Sequence, residues 1–301
     1  MPPSIDTTHL TYCDNLEGVL LIKIILGFIM FGVALELTVD DFRSIAKNPK
    51  GTLVGLASQV FVLPILTIIL IHILKPQASI ALGMILVAAC PGGSVSNFLG
   101  VVAKANAALQ VTLSALTTVV GLFFTPFNFW LYGNMYAPSA AMLKEIAVDP
   151  VVVGMEIFLV LGTPLLLGML LRNRFEALAL KITKPIKNIS LVIFAVIVIG
   201  AIAKEATVIA TYASTILWIV VVHNASGFVG GYWFGRMFRL PERDCRSVSI
   251  ETGLQNSGLG LGLVCSYFDG LGGMAMVAAA WGVWHLISGG TIALYWSRKQ
   301  V

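Results

Sequence analysis

Nine apolar stretches of membrane-spanning length follow one another along this chain, at residues 18–38, 51–74, 78–103, 107–132, 149–171, 187–203, 207–235, 244–267 and 271–296, here spans A to I. A helix needs about 20 apolar residues to cross the hydrocarbon of a bilayer. Inside that hydrocarbon every backbone N–H and C=O must be satisfied within the chain. The stretches therefore predict an all-α polytopic membrane protein with nine transmembrane helices. Composition agrees, since only 11% of the 301 residues are charged, against about 25% in soluble domains. Span F is the shortest, and its apolar pattern allows a start near Leu178. The net charge of +4 comes from loops, and no basic run is interleaved with aromatics. The expected surroundings are thus a lipid bilayer, with no nucleic-acid partner. Cys13, Cys90, Cys245 and Cys265 form no CxxC or Cys/His pattern, which supports neither a disulfide framework nor a zinc site. Residues 1–17 are polar and acidic without a basic start, and are expected to be an extracellular tail rather than a cleavable signal.

The basic residues set the orientation. Arg43, Lys47 and Lys50 (A–B), Lys104 (C–D), Arg172, Arg174, Lys181, Lys184 and Lys187 (E–F), Arg236, Arg239, Arg243 and Arg246 (G–H), and Arg298 and Lys299 in the tail all fall on one side. The opposite side has Lys75, Lys144 and Lys204, while Lys23 is expected to snorkel from the outer end of span A. Positive residues stay inside, so the N-terminus is predicted outside and the C-terminus in the cytoplasm. A bacterial inner membrane suits such a chain.

Spans A–D and F–I then run in opposite directions, as an inverted repeat would, with span E left over. Paired interrupted helices in two inverted halves mark the substrate site of many transporters. Here the third span of each set is interrupted: span C by Pro91-Gly92-Gly93-Ser94-Val95-Ser96-Asn97, span H by Glu251-Thr252-Gly253-Leu254-Gln255-Asn256-Ser257-Gly258. A carboxylate inside a span costs several kcal/mol unless compensated, and such residues usually mark function. At a rise of about 1.5 Å per residue, Glu251, Gln59, Ser114, and Ser96 with Asn97 all lie about 10–12 Å from the inner ends of their spans. Carboxylate, amide, hydroxyl and freed backbone oxygens at one level suit a hard cation. Sodium fits a site with a single acid, and the half-helix N-termini favour an anion.

Cys90–Asn97, Glu251–Gly258 and Val283-Trp284-His285, in this order and spacing, resemble the bile acid:sodium symporter family, and the likeness extends from about Gly27 to Trp296. The resemblance implies a panel domain (spans A, E and F, residues 18–38 and 149–203) and a core domain (spans B–D and G–I, residues 51–132 and 207–296), together forming a transporter domain over 18–301. It implies two sodium ions where two broken helices cross. One would sit among Ser96, Asn97, Gln110, Ser114 and Glu251, with Gln110 standing where relatives can place a hydroxyl. The other would use Gln59, Glu251, Gln255 and backbone oxygens of Thr252 and Leu254. An organic anion would bind near Ser94, Asn256 and His285: a bile acid, a sulfated steroid or a small organic acid such as a 2-oxo acid or pantoate. Leu286 replaces an Asn of some members, removing a polar substrate contact.

The implied activity is sodium-coupled symport by alternating access, not an enzyme reaction. Its alternatives are a proton-coupled or exporting carrier with Glu251 as proton carrier, and an intramembrane enzyme. For the enzyme, Asp40-Asp41 and Glu242/Asp244 lack DxxxD spacing, and no HExxH or GxSxG occurs. Several polar residues also have structural readings. Ser96, Asn97 and Ser114 could bridge helices, and Pro91-Gly92-Gly93 could be a kink. Glu156 has no polar neighbours in sequence, and His223 with Asn224 suits a helix–helix contact.

Overall fold

A computed structural model describes residues 5–7, 16–93, 95–146, 150–204 and 206–299. The helices are α1 (Leu16–Ala34), α2 (Val39–Arg43), α3 (Pro49–Ala57), α4 (Leu63–Leu74), α5 (Ala78–Ala89), α6 (Val95–Val102), α7 (Ala107–Gly133), α8 (Ala137–Glu145), α9 (Pro150–Ile157), α10 (Thr163–Arg174), α11 (Glu176–Lys204), α12 (Ala206–Met237), α13 (Glu242–Gly253), α14 (Ser257–Tyr267) and α15 (Gly272–Ser297). Among the described residues the chain is all-helical, apart from one isolated antiparallel bridge between Gly92 and Gln255.

Five continuous helical stretches are long and apolar enough to cross a membrane: Pro49–Leu74, Ala107–Gly133, Gly154–Arg174, Ala210–Met237 and Gly272–Ser297. Val19–Ala34 and Val39–Ala46, bent by 65°, would together make a sixth. The predicted spans C and H are each two short helices, α5 with α6 and α13 with α14, which is the interruption expected of them. Span F is longer than its apolar core, because α11 starts at Glu176. α8 has no counterpart among the nine stretches; it is too polar and short to register as a span.

Local chemistry explains the irregularities that shape the site. α3 and α4 join through a π-helical turn, Ser58–Val62, in which the Leu63 N–H reaches back to Ser58 O. Pro64 has no N–H to give Val60 O, and Asn128 Nδ2 from α7 donates to that carbonyl instead at 2.8 Å. A matching π turn, Phe158–Gly162, precedes Pro164. α3 and α7 both start at an asparagine cap: Asn48 Oδ1 accepts from Gly51 N–H and Asn106 Oδ1 from Leu109 N–H.

Those two caps also position α13. The Asn48 and Asn106 amides donate to the Asp244 carboxylate at 2.7 and 2.8 Å. Two residues on, the buried Arg246 donates to Ala103 O, Trp296 O and Glu242, with its guanidinium 5.6 Å from the centre of the Trp296 ring. This clamp fixes the depth and rotation of α13. Glu251 follows Asp244 by seven residues, about two turns, so both lie on one face of the helix.

Two features lay beyond the sequence reading. Lys23 and Glu156 form an ion pair at 2.9 Å, with the ammonium 5.0 Å from the centre of the Tyr267 ring. Their partners lie more than a hundred residues away, so neighbours in sequence gave no sign of them. Cys90 and Cys245 are free thiols, but Cys265 is disulfide-bonded. Spacing along a chain does not report which cysteines the fold brings together.

Candidate cation site where two broken helices meet

Ending α5 at Ala89 and α13 at Gly253 frees carbonyls that hydrocarbon cannot hydrate. Each break satisfies the other. Gly93 N–H donates to Leu254 O at 3.0 Å and Asn256 N–H to Pro91 O at 2.9 Å. Side chains take the remaining carbonyls: Thr125 Oγ1 donates to Ala89 O, Gln59 Nε2 to Cys90 O, Gln255 Nε2 to Thr252 O and Asn224 Nδ2 to Gly253 O. The two interruptions therefore meet back to back, as the sequence predicts.

Glu251 sits beside this meeting point, fully buried. Its Oε2 accepts from Ser96 Oγ at 2.8 Å and Gln110 Nε2 at 2.7 Å, and its Oε1 from Thr117 Oγ1 at 2.9 Å. Gly92 packs so closely on the carboxylate that a Cβ there would overlap Oε1. On the other side of the break, Gln59 Nε2 donates to Gln255 Oε1 at 2.7 Å, and Gln255 Nε2 returns to Gln59 Oε1 at 3.2 Å.

The helices that donate to Glu251 also carry unpartnered acceptors. Asn97 Oδ1 and Gln110 Oε1 are both buried without a hydrogen-bond partner. An orphaned buried acceptor costs about 1–3 kcal/mol, and a cation removes that cost for several oxygens at once. No group of three or more His, Cys, Asp or Glu occurs among the described residues. An oxygen set with one carboxylate suits a hard, singly charged ion and lacks the soft ligands of transition-metal sites.

The other expected residues fall as follows. Ser114 offers its carbonyl here, accepting from Thr117 and Thr118 hydroxyls at 3.3 and 2.7 Å. The Thr252 and Leu254 carbonyls lie at the break but are already hydrogen-bonded within the chain. Asn256 caps α14 by accepting from Leu259 N–H. His285 is buried on α15, and its Nδ1 has no partner. Ser94 lies outside the described residues. His223 is the helix–helix contact expected of it, with Nε2 2.7 Å from Thr67 Oγ1 and its ring 4.8 Å from that of Trp281. Its neighbour Asn224 does more, because it ties the break at Gly253 to Ser288 of α15. Thr117 was not foreseen. Its signal was available in sequence: it follows Ser114 by three residues and shares that helix face.

Residues 23–212 match the model of the sodium bile acid symporter family. An uncharacterized sodium-dependent transporter of Bacillus subtilis is 30% identical over 278 residues, covering 92% of this chain and 83% of that protein. A probable chloroplastic sodium/metabolite cotransporter of rice, BASS1, is 31% identical over 271 residues, covering 90% of this chain but only 64% of its own length. The human ileal sodium/bile acid cotransporter is 28% identical over 255 residues, covering 82% of this chain and 70% of that protein.

Proposed function

The chain belongs to the sodium bile acid symporter family, and on that premise we propose that it is a secondary active transporter that couples inward sodium movement to uptake of an organic anion. Sodium would occupy the oxygen-rich surroundings of Glu251, drawing on Ser96, Asn97, Gln110 and Ser114 on one side and on Gln59, Gln255 and the Thr252 and Leu254 carbonyls on the other. The observation that carries this reading is the buried Glu251 carboxylate at the meeting of two helix breaks, held by donors on α6 and α7 that also carry two side-chain oxygens without a donor. Cations neutralise such a site, and transport follows because the backbone there belongs to two interrupted elements rather than to a continuous wall.

The organic anion would lie beside the breaks, where the half-helices α6 and α14 begin and their N–H groups favour negative charge. On the family resemblance, Asn256, His285 and Ser94 would be the polar side chains that meet it. Alternating access would come from movement of a core (spans B–D and G–I) against a panel (spans A, E and F). Sodium would hold the two breaks in the arrangement that accepts the anion. The N-terminus would face outward and the C-terminus the cytoplasm, in a bacterial inner membrane.

Uptake into proteoliposomes separates this from proton coupling. A bile acid, a sulfated steroid, a 2-oxo acid and pantoate are offered with an inward sodium gradient, then with sodium replaced by choline at fixed pH. Accumulation of at least one anion with sodium and not with choline is the expected outcome. Equal accumulation in choline that a protonophore abolishes would assign Glu251 to protons instead.

A further inference from the structure

Gln110 meets Glu251 through its nitrogen, and its oxygen is turned towards Gly100, about 3.2 Å from where a Cβ of that residue would stand. A bare glycine at 100 is what leaves room for so long a side chain. The end of Gln110 that reaches Glu251 is therefore a donor, and its unpartnered oxygen lies on the far side of the amide from the carboxylate. A second hydroxyl at the site, besides that of Ser96, comes from about two turns further along α7. Thr117 Oγ1 lies 2.9 Å from Glu251 Oε1, the carboxylate oxygen that neither Ser96 nor Gln110 touches.

The same hydroxyl lies 3.3 Å from Ser114 O, which already receives the Thr118 hydroxyl at 2.7 Å. Thr117 has one proton and faces two acceptors, so three oxygens converge at one corner: Glu251 Oε1, Thr117 Oγ1 and Ser114 O. Thr117 also lines a small cavity of about 10 Å³, whose polar wall includes Gln59 and Asn128. Asn128 Oδ1 is buried there without a partner. Thr117 thus lines the same cavity as this unpartnered amide oxygen and hydrogen-bonds the Glu251 carboxylate.

We propose that Thr117 is a direct ligand of the coupling cation, standing between this cavity and Glu251 and supplying the hydroxyl that Gln110 does not. The assignment rests on the sodium reading above. A residue that only packed α7 would use its methyl group, which valine retains, whereas a ligand needs the oxygen.

The test is equilibrium binding of ²²Na⁺ alone to the purified full chain, against a choline background, with Thr117→Val, Thr117→Ser and Thr117→Cys. Loss of a group at a metal site typically weakens affinity 10–100-fold, and a loss of at least about 10-fold is expected for valine. Cysteine, similar in reach but a poor ligand for a hard ion, should lose as much, and serine should restore wild-type affinity. Thermal midpoints in choline identify a variant that does not fold; should valine fail, the cysteine and serine pair decides. Wild-type affinity in the folded valine or cysteine variant would overturn the assignment, as would a loss that serine does not restore. Absence of saturable ²²Na⁺ binding in the wild type would instead remove the sodium reading itself.

Discussion

Glu251→Gln is expected to fold and to lose sodium-driven uptake. The amide keeps the shape of the side chain and one acceptor, so the hydroxyls of Ser96 and Thr117 retain a partner. What disappears is the formal negative charge. Two unit charges about 4 Å apart at an effective dielectric of about 20 attract by about 4 kcal/mol, close to a thousandfold in affinity. Saturable ²²Na⁺ binding should fall below detection and uptake with it. Glu251→Ala should do the same and also destabilise the protein, because Ser96 and Gln110 would lose the carboxylate they donate to, at about 1–3 kcal/mol each, while Thr117 would keep only Ser114 O. Normal sodium-dependent uptake by the glutamine variant would show that the charge plays no part in coupling.

Gly92→Ala is the second large effect. The added methyl would occupy the place of Glu251 Oε1, so one of two things must give. Either the carboxylate swings away from its three donors, or the backbone bonds Gly93 N–H to Leu254 O and Asn256 N–H to Pro91 O part. Overpacking of this kind costs about 1–3 kcal/mol, and the loss falls at the site itself. A lowered thermal midpoint together with abolished uptake is expected. Gly93→Ala is the control: its methyl would lie 3.3 Å from Gln255 O, tight but short of overlap, and a partial loss is expected. Neither glycine has a positive φ, so the effects are steric rather than conformational. An alanine at 92 that left both stability and uptake unchanged would be incompatible with the packing described here.

Hydropathy and punctuation carried much of the architecture. The interruptions at Pro91-Gly92-Gly93 and after Gly253 were legible because glycine, proline and amides clustered inside an apolar run weaken a helix at that point. Depth bookkeeping then put Glu251 and Ser96, 155 residues apart, at one level, and they are hydrogen-bonded. Depth says nothing about the rotation of a helix about its axis, however. For that reason Thr117, which hydrogen-bonds Glu251, was not picked out beside Ser114, whose carbonyl accepts from the Thr117 hydroxyl. The ion pair of Lys23 with Glu156 and the bonded state of Cys265 were hidden for a related reason. The ion pair joins residues 133 apart, to which no local pattern points.

Coupling requires that a cation at Glu251 prepare the protein to receive an anion, and thermal unfolding of the purified chain tests that most directly. The wild type and Glu251→Gln are each heated with a bile acid, a sulfated steroid, a 2-oxo acid and pantoate, in sodium and in choline. A ligand at about 100 times its Kd adds about 2.7 kcal/mol of stability, enough to read as a clear shift in Tm. At least one anion should raise the Tm of the wild type in sodium only, and none should raise that of Glu251→Gln in either salt. An anion that stabilises the wild type equally in choline, or stabilises Glu251→Gln as strongly as the wild type in sodium, would contradict the central claim.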